Sequence, residues 1–514
     1  MLKITQRIIN FFKRETTSLK FQSIRSAVWS VFGKGAGQII RVIGNLILTR
    51  ILFPEAFGLM ATANVVVMVV QLFSDTGINI AIIQNPNGDK PDYLNTAWVI
   101  KIFRGILLGI IIGIAAWPIS FFYNAAVLKP ILLIMCLSPI VLGFGNPAIP
   151  VLVKRFKLSR QVLMEISSQL VTLISTILLA ALLKSVLALA IGFSLGSIFR
   201  VTASYVVFPY RPAFQWSEEA GRELFHFGKY VFLNTLITAA VMQLDVLMIG
   251  KLLDMELLSF YNIGKTLGML VIMFSANVIS QSYVPAISSV QNDIERVQRI
   301  YQRTVSFFLA FLLPVSIVSL LFSRDIIRLM YDPRYELSFI PLFWFALSGI
   351  FRTIGNISGS TFFAIGKPVY ETISMVIGLL LVVSFIFFGG RYYGLSGVSF
   401  AVAAGTSLIP VIESIFLVRG IGFSLKSILR PWWQSFFVCA VCVLVFFLLR
   451  PWLSTNSFSN IPFMILMGLV SLAVSTGLYR YLEGPNPFRD YSQKRNYENR
   501  MVAHESETTI SEAT

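Results

Sequence analysis

Cationic and polar side chains recur at helical intervals in an apolar stretch near the start of the chain, "SVFGKGAGQIIRVIGNLILTR". Lys34, Gln38, Arg41 and Asn45 are separated by four, three and four residues, so a helix of 3.6 residues per turn places them on one stripe. A charge at the centre of a membrane costs roughly 2.5 to 3.5 kcal/mol on insertion scales, and such side chains therefore face protein or water. The chemistry that this stripe could perform is the binding of an anion.

Further cations and polar groups follow the same pattern in later apolar stretches. Arginine suits forked contacts with phosphate. Extension of the side chain to the membrane surface, or pairing with a buried carboxylate, is the structural alternative for each cation. We predict a cationic cavity lined by Arg41, Lys34, Lys101, Arg104, Lys265 and Arg352, with Gln38, Asn45, Ser348 and Asn356 as its polar lining. Arg200 is expected at the cytoplasmic edge of its span instead.

Carboxylates are fewer inside the apolar stretches, and any of them could be a counter-ion: Asp75, Glu165, Asp245, Glu371 and Glu413. Asp245, with Thr238 and Asn234 on the same helical stripe, offers hard oxygen ligands for a coupling proton or sodium ion. A salt bridge to a cavity cation is the other interpretation of Asp245. We expect no other cofactor and no metal, because the C-x-x-C pair in the thirteenth apolar stretch has no third ligand nearby.

The elements that position these side chains are membrane-crossing helices. Of the 514 residues, 56% are hydrophobic and only 13% are charged, and the mean hydropathy is +0.75. Each crossing takes about 20 residues, and about 14 stretches are long enough. Their expected bounds include 130–149 for the fourth, and 370–389 and 394–418 for the eleventh and twelfth. We therefore predict an all-α polytopic membrane protein.

The net charge of +17 is explained largely by topology. With both termini in the cytoplasm, roughly 25 Lys and Arg residues lie on the cytoplasmic side and roughly 9 lie outside, which is the positive-inside bias. We therefore expect no nucleic-acid partner.

An internal duplication organises the predicted spans. Phe32-Gly33-Lys34 is repeated as Phe227-Gly228-Lys229, and each copy heads a span followed by comparable text, with Glu55 matching Glu256. An even number of spans per half gives a parallel repeat, here two six-helix lobes around a central cavity plus two C-terminal helices. The expected parts are a basic amphipathic cytoplasmic N-terminus (1–26), an N-lobe (27–208), a cytoplasmic linker (209–226), a C-lobe (227–426), two additional spans (427–483) and a polar cytoplasmic tail (484–514).

Catalysis is disfavoured by the sequence. The loops between predicted spans are short, there are only two histidines, and no glycine-rich nucleotide-binding motif is present. A membrane glycan polymerase or an acyltransferase, the enzymatic alternatives, would need a histidine or a large loop to hold catalytic groups. We expect a protein that is not an enzyme.

Three segments carry a resemblance to a known family: "FGLMATANVVVMVVQLFSDTGINIAIIQ" (57–84), "PYRP" (209–212) and "LMYDPRYELSFIPLFWFAL" (329–347). They resemble the polysaccharide transporter branch, the Wzx-like oligosaccharide flippases, of the multidrug/oligosaccharidyl-lipid/polysaccharide flippase superfamily. The resemblance covers nearly everything except the two ends of the chain. It implies two six-helix lobes around a V-shaped central cavity, often with two extra C-terminal helices.

The resemblance also implies a substrate and a place in the cell. Members move undecaprenyl-pyrophosphate-linked oligosaccharides across the bacterial inner membrane for capsule, exopolysaccharide or O-antigen assembly. Membrane lipids, and polysaccharide polymerase or export proteins, would be further partners of what we expect to be a monomer. Two related transporters remain alternatives. A lipid II flippase would share the basic cavity, whereas a multidrug cation antiporter would prefer acidic residues there.

Overall fold

The computed structural model describes residues 19–72, 78–155, 157–224, 243–279, 283–449, 451 and 457–483. Within these ranges the chain is helical and contains no strand. Ten helices of the described ranges are long and apolar enough to cross a membrane. The prediction of an all-helical, multi-pass membrane protein is confirmed, and the total of fourteen spans stays a prediction.

The helices are numbered in chain order. In the first half they are α1 (Leu19–Ile51), α2 (Pro54–Leu72), α3 (Ile78–Gln84), α4 (Pro91–Phe122), α5 (Leu128–Met135), α6 (Leu137–Gly143), α7 (Ile149–Lys154), α8 (Leu158–Leu183) and α9 (Leu187–Val207). In the second half they are α10 (Met255–Val278), α11 (Val284–Ser288), α12 (Ile294–Leu321), α13 (Ser323–Met330), α14 (Phe339–Ala364), α15 (Val369–Phe416), α16 (Leu425–Leu449) and α17 (Ile461–Glu483).

The chain divides into two compact units. The first unit contains the described parts of Met1–Ile263 together with Met330–Ser338 and Ile386–Val398. The second contains Gly264–Leu329, Phe339–Phe385 and the described part of Ser399–Thr514. A buried core in the second unit is built on aromatic side chains, including those of Tyr301, Phe322 and Phe362.

The fourth predicted span differs from its expected form. Instead of one helix over 130–149, the chain forms α5, α6 and the start of α7, with an irregular segment at 144–148. Asn146 stabilises this break, because its Nδ2 donates to the carbonyl oxygens of Ser204 (3.2 Å) and Phe208 (2.6 Å) and its Oδ1 accepts from the Ala148 amide (2.9 Å). Pro147 lacks the amide hydrogen that a continuous helix would use.

The eleventh and twelfth predicted spans are both present in α15. Gly394 separates them with φ 53° and ψ −136°, a conformation that is accessible essentially to glycine alone. Both spans therefore form as expected, joined by a sharp bend rather than by a loop.

Several features of the predicted duplication fall within the described residues. Glu55 lies in the first turn of α2, and Glu256 lies in the first turn of α10. The two helix starts meet, since a Cβ atom on Gly58 would clash with the backbone carbonyl of Met255. The second Phe-Gly-Lys copy (227–229), residues 1–18 of the predicted N-terminus and the tail (484–514) lie outside the described residues. The duplication and the proposed boundaries remain predictions.

Candidate functional site

A cavity of about 370 Å³ lies inside the first unit. Its wall is formed by residues of α2, α3, α4, α6, α7, α8 and α9 and by the break at 144–148. Four of these helices are apolar candidates for crossing the membrane. The cavity is therefore a polar chamber built largely by membrane-crossing helices.

Glycines on α4 set the position of the cavity wall. A Cβ on Gly105 would lie 2.5 Å from the Pro139 carbonyl oxygen and 3.0 Å from the Cα of Gly143, both on α6. Gly109, one turn later, meets the Ile140 side chain of the same helix. Small residues at this spacing let two helix backbones approach closely. This contact fixes α4 and the cationic side chains that precede Gly105 on it.

Three cations line the cavity. Lys101 and Arg104 of α4, both predicted, are joined by Arg200 of α9. Arg104 Nη2 donates to the Gln71 carbonyl oxygen at 2.9 Å, which ties it to the end of α2. Lys101 is within electrostatic range of both arginines. Like charges are held together here by the backbone packing and not by mutual attraction.

One carboxylate faces the three cations. Glu165 of α8 pairs with Arg200 at 3.8 Å, and its Oε1 accepts from Gln161 Nε2 at 3.0 Å. Both partners of the ion pair are partly exposed, which keeps their attraction modest. Among the described residues of the wall, three cations and one carboxylate leave a formal charge of +2. The chamber is suited to an anion carrying more than one charge.

Arg200 is the cavity residue that sequence reasoning missed, because it was placed at the cytoplasmic edge. The signal lies in the register between α8 and α9. Gly192 and Gly196 of α9 pack against Thr176 and Thr172 of α8. One further turn of this antiparallel register puts Arg200 opposite Ser168, less than one turn from Glu165, and the long arginine side chain reaches the carboxylate.

The predicted stripe of α1 does not line this cavity. Lys34 and Arg41 are exposed, Asn45 is half-buried, and Gln38 is buried. Gln38 Nε2 has no hydrogen-bond partner among the described residues. Nearby glycines pack α1 against α8, as at Gly37.

The remaining predicted lining residues belong to the second unit. Lys265 of α10 and Arg352 and Asn356 of α14 are half-buried. Ser348 is buried, and its Oγ donates to the Phe345 carbonyl oxygen at 3.1 Å. These four side chains are not part of the first-unit cavity.

The predicted ion-coupling residue Asp245 is buried, with 5% of its surface exposed. Its Oδ2 accepts from the Tyr261 hydroxyl at 2.6 Å, and its Oδ1 accepts from the Val246 amide at 2.8 Å. Thr238 and Asn234 lie outside the described residues. In the described part of the chain, no three His, Cys, Asp or Glu side chains come together as metal ligands.

A partly exposed ion-pair cluster anchors the loop between α3 and α4. Asp89 Oδ2 accepts from Arg155 Nη2 at 3.1 Å, and Asp89 Oδ1 lies 3.6 Å from Lys154 Nζ. The hydrogen bond from Arg155 holds the pKa of the Asp89 carboxyl below its ordinary value. Lys154 also donates to the Asn85 carbonyl oxygen at 2.8 Å, so the cluster joins α7 to this loop.

Comparison with known proteins identifies the family. The profile of the family described as "Polysaccharide biosynthesis protein" matches residues 47–339, more than half of the chain. The chain belongs to this family. The resemblance predicted from its sequence is thereby confirmed.

Full-length relatives agree with this membership. The lipopolysaccharide biosynthesis protein WzxC of Escherichia coli is 21% identical over 430 residues, covering 82% of this chain and 86% of that protein. An uncharacterised membrane protein in the cps region of Klebsiella pneumoniae is 21% identical over 436 residues, covering 84% and 89%. The lipid II flippase MurJ, in an inward closed conformation, has the same fold, with a TM-score of 0.71 and 18% identity over 88% of this chain and 99% of that one.

Proposed function

We propose that this protein is a flippase that moves undecaprenyl-pyrophosphate-linked oligosaccharide repeat units across the bacterial inner membrane, with both termini in the cytoplasm. The observation that carries the proposal is a cavity whose described lining residues have a formal charge of +2, enclosed largely by membrane-crossing helices, in a member of the polysaccharide biosynthesis family. The reaction is transport, and the substrate leaves chemically unchanged.

The pyrophosphate group is the part of the substrate that this cavity would hold. Arg104 and Arg200 can each present two parallel N–H donors to phosphate oxygens, and Lys101 adds a compact point charge. A volume of about 370 Å³ lies at the small end of ligand pockets. It accommodates a charged headgroup, while the sugars would lie beyond it and the lipid tail would stay in the membrane.

The other predicted cations would bind the same headgroup at other stages of its passage across the membrane. Lys34, Arg41, Lys265 and Arg352 lie on helices outside the cavity wall. In an alternating-access cycle, each conformation binds the headgroup with a different subset of cations. The half-buried amides of Asn45 and Asn356, with Gln38 and Ser348 beside them, would form hydrogen bonds with sugar hydroxyls.

The charge of the cavity separates this proposal from one alternative. A multidrug cation antiporter would bring a positive ligand against Lys101, Arg104 and Arg200, where repulsion opposes binding. A lipid II flippase is a closer competitor, because lipid II also carries pyrophosphate. Only the identity of the transported glycan distinguishes these two.

The deciding experiment deletes the gene and identifies the lipid-linked glycans that accumulate in the inner leaflet by mass spectrometry. We expect undecaprenyl-linked repeat units to accumulate and surface polysaccharide to be lost. Plasmid-borne wild type should restore export, and the double variant Lys101→Gln/Arg104→Gln should not. Arg222→Gln, which removes an exposed cation of a surface ion pair, is the matched control and should restore export. Accumulation of lipid II, or unaltered glycan with raised sensitivity to cationic drugs, would overturn the proposal.

A further inference from the structure

Two glutamates of α15 meet inside the second unit. Glu371 lies in the first turn of α15 and Glu413 lies close to its end, and their side chains are 7% and 1% exposed. An unbroken helix would separate these positions by about 60 Å. Because α15 is interrupted at Gly394, the two carboxyl groups instead lie within hydrogen-bonding distance of each other.

The backbone of α14 holds both carboxyl groups in place. A Cβ atom on Gly359 would collide with the two carboxyl oxygens of Glu371. One on Gly355 would lie 3.4 Å from Glu413 Oε2 and 3.0 Å from Pro410 Cγ. Two glycines one turn apart therefore form the surface on which the acid pair rests.

No described group neutralises this pair. Neither carboxyl group forms an ion pair with a described residue, and the buried Oε2 atoms of Glu371 and Glu413 have no hydrogen-bond donor among those residues. These two orphaned oxygens, each on a side chain more than nine-tenths buried, point to a missing ligand.

The neighbouring titratable and charged groups are occupied or lie further along their helices. The Tyr301 hydroxyl of α12, which faces Glu413, lies 3.0 Å from Ser358 Oγ. Ser358 Oγ itself donates to the Ile354 carbonyl oxygen at 3.1 Å, so the Tyr301 hydrogen is used on Ser358. Lys367 Nζ donates to the Gly420 carbonyl oxygen, and Arg352, about one turn before Gly355 on α14, forms no ion pair with Glu371 or Glu413.

The repulsion between the two buried carboxylates indicates which ligand is missing. Two ionised carboxylates in contact and out of water repel each other, and neither regains the hydrogen bonds it lost on burial. One proton placed between them removes one negative charge and supplies the missing donor. A metal cation would need several more oxygen ligands, whereas the Ser358 hydroxyl nearby is already engaged.

We propose that Glu371 and Glu413 form a proton-binding site, and that loading and release of its proton is coupled to transport. The bound proton holds the part of α15 before Gly394 and the part after it together against α14. Its release leaves two negative charges, and their repulsion drives the two parts away from each other. The coupling, though not the proton site itself, rests on the proposed function.

The first test counts the proton by infrared spectroscopy of the purified full-length protein in detergent at neutral pH. We expect a protonated-carboxyl band that shifts in heavy water, and that is lost in Glu371→Gln/Glu413→Gln. Glu218→Gln, at an exposed ion-paired glutamate, should retain the band. If the double variant does not fold, the single variants should each shift the band, since an amide replaces one partner of the pair. A difference spectrum that contains only ionised-carboxylate bands would overturn the proposal.

The second test measures coupling in proteoliposomes with lipid-linked oligosaccharide. An imposed proton gradient should accelerate wild-type transport several-fold and leave the rate of the double variant unchanged. Equal acceleration of both proteins would overturn the coupling while leaving the flippase proposal intact. If wild type moves no glycan but keeps the protonated band, the proposed function fails and the proton site stands.

Discussion

The two units of the molecule use buried charge in opposite ways. In the first, Lys101, Arg104 and Arg200 share a cavity with one carboxylate of the described residues, Glu165, and the Glu165–Arg200 pair remains partly exposed. In the second, Glu371 and Glu413 are packed against glycines of α14, and no described cation pairs with them. The first-unit cavity is open and lined mainly by cations among the described residues, whereas the Glu371–Glu413 pair of the second unit is closely packed and acidic.

This difference shows that the free space around buried charges determines the size of the ligand that can neutralise them. A cavity that leaves charges partly hydrated can hold an excess of one charge at low cost and can exchange water for a multivalent anion. A site without such space has to neutralise its charge with something small. The smallest such ligand is a proton, so under the two proposals one fold contains both a headgroup site and a proton site.

The largest expected effect is on binding of pyrophosphate in the first-unit cavity, and the double variant Lys101→Gln/Arg104→Gln tests it. Hydrogen bonds to charged groups are each worth about 1.5 to 3 kcal/mol, so losing two cations, about 3 to 6 kcal/mol together, should weaken binding more than about a hundredfold. The affinity of the purified protein for undecaprenyl pyrophosphate, measured by calorimetry, checks this. Arg104→Lys should be intermediate, because it keeps the charge and loses the fork.

The same calorimetric titration of Arg222→Gln, which removes an exposed cation outside both sites, is the control, and its affinity should match that of wild type. An undiminished affinity in the double variant would contradict the assignment of the pyrophosphate to the first-unit cavity.

The packing that supports the positive region can be broken on α4 itself. Gly105→Ala forces a methyl group onto the α6 backbone, and overpacking of this kind costs typically about 1 to 3 kcal/mol. Gly113→Ala on the same helix meets no atom within 4 Å, so it should be neutral or stabilising by up to about 1 kcal/mol. Thermal unfolding of both variants in one detergent measures the contrast. Equal midpoints would show that the close α4–α6 contact is absent.

A glutamate-to-glutamine change should have a different effect in each region. Glu165→Gln removes a half-exposed ion pair at 3.8 Å, so unfolding free energy should change by less than about 1 kcal/mol. It also raises the formal charge of the cavity from +2 to +3, and pyrophosphate should bind several-fold more tightly. Chemical denaturation and calorimetry check the two parts. Weaker binding would mean that Glu165 positions Arg200 rather than opposing the anion.

The sequence predicted what depends on local pattern. Hydropathy located the helices, and the three-residue interval between Lys101 and Arg104 predicted one shared face; both side chains line the first-unit cavity. The place of Arg200 in the cavity was not predicted, because it depends on the register between α8 and α9, which no local interval contains. The break at 144–148 depends on carbonyl groups of Ser204 and Phe208, about 60 residues away along the chain. The two predicted spans of α15 imply a reversal between them, but the contact between Glu371 and Glu413 depends on the register of the two parts, which no local interval contains.

The smallest expected effect concerns a charge of the first unit that belongs neither to the cavity nor to the acid pair. Asp89 is exposed enough to be solvated, and its folded-state pKa is lowered chiefly by the hydrogen bond from Arg155. A lowered folded-state pKa contributes stability that is present above the unfolded-state pKa and is lost as the pH falls through the folded-state value. Thermal midpoints of wild type and Asp89→Asn should therefore differ slightly at neutral pH and converge in acid. Because screening weakens exposed pairs, high salt should also remove the difference. A gap between the two midpoints that widens on acidification would contradict this assignment and would show that Asp89 is stabilised by its protonated form.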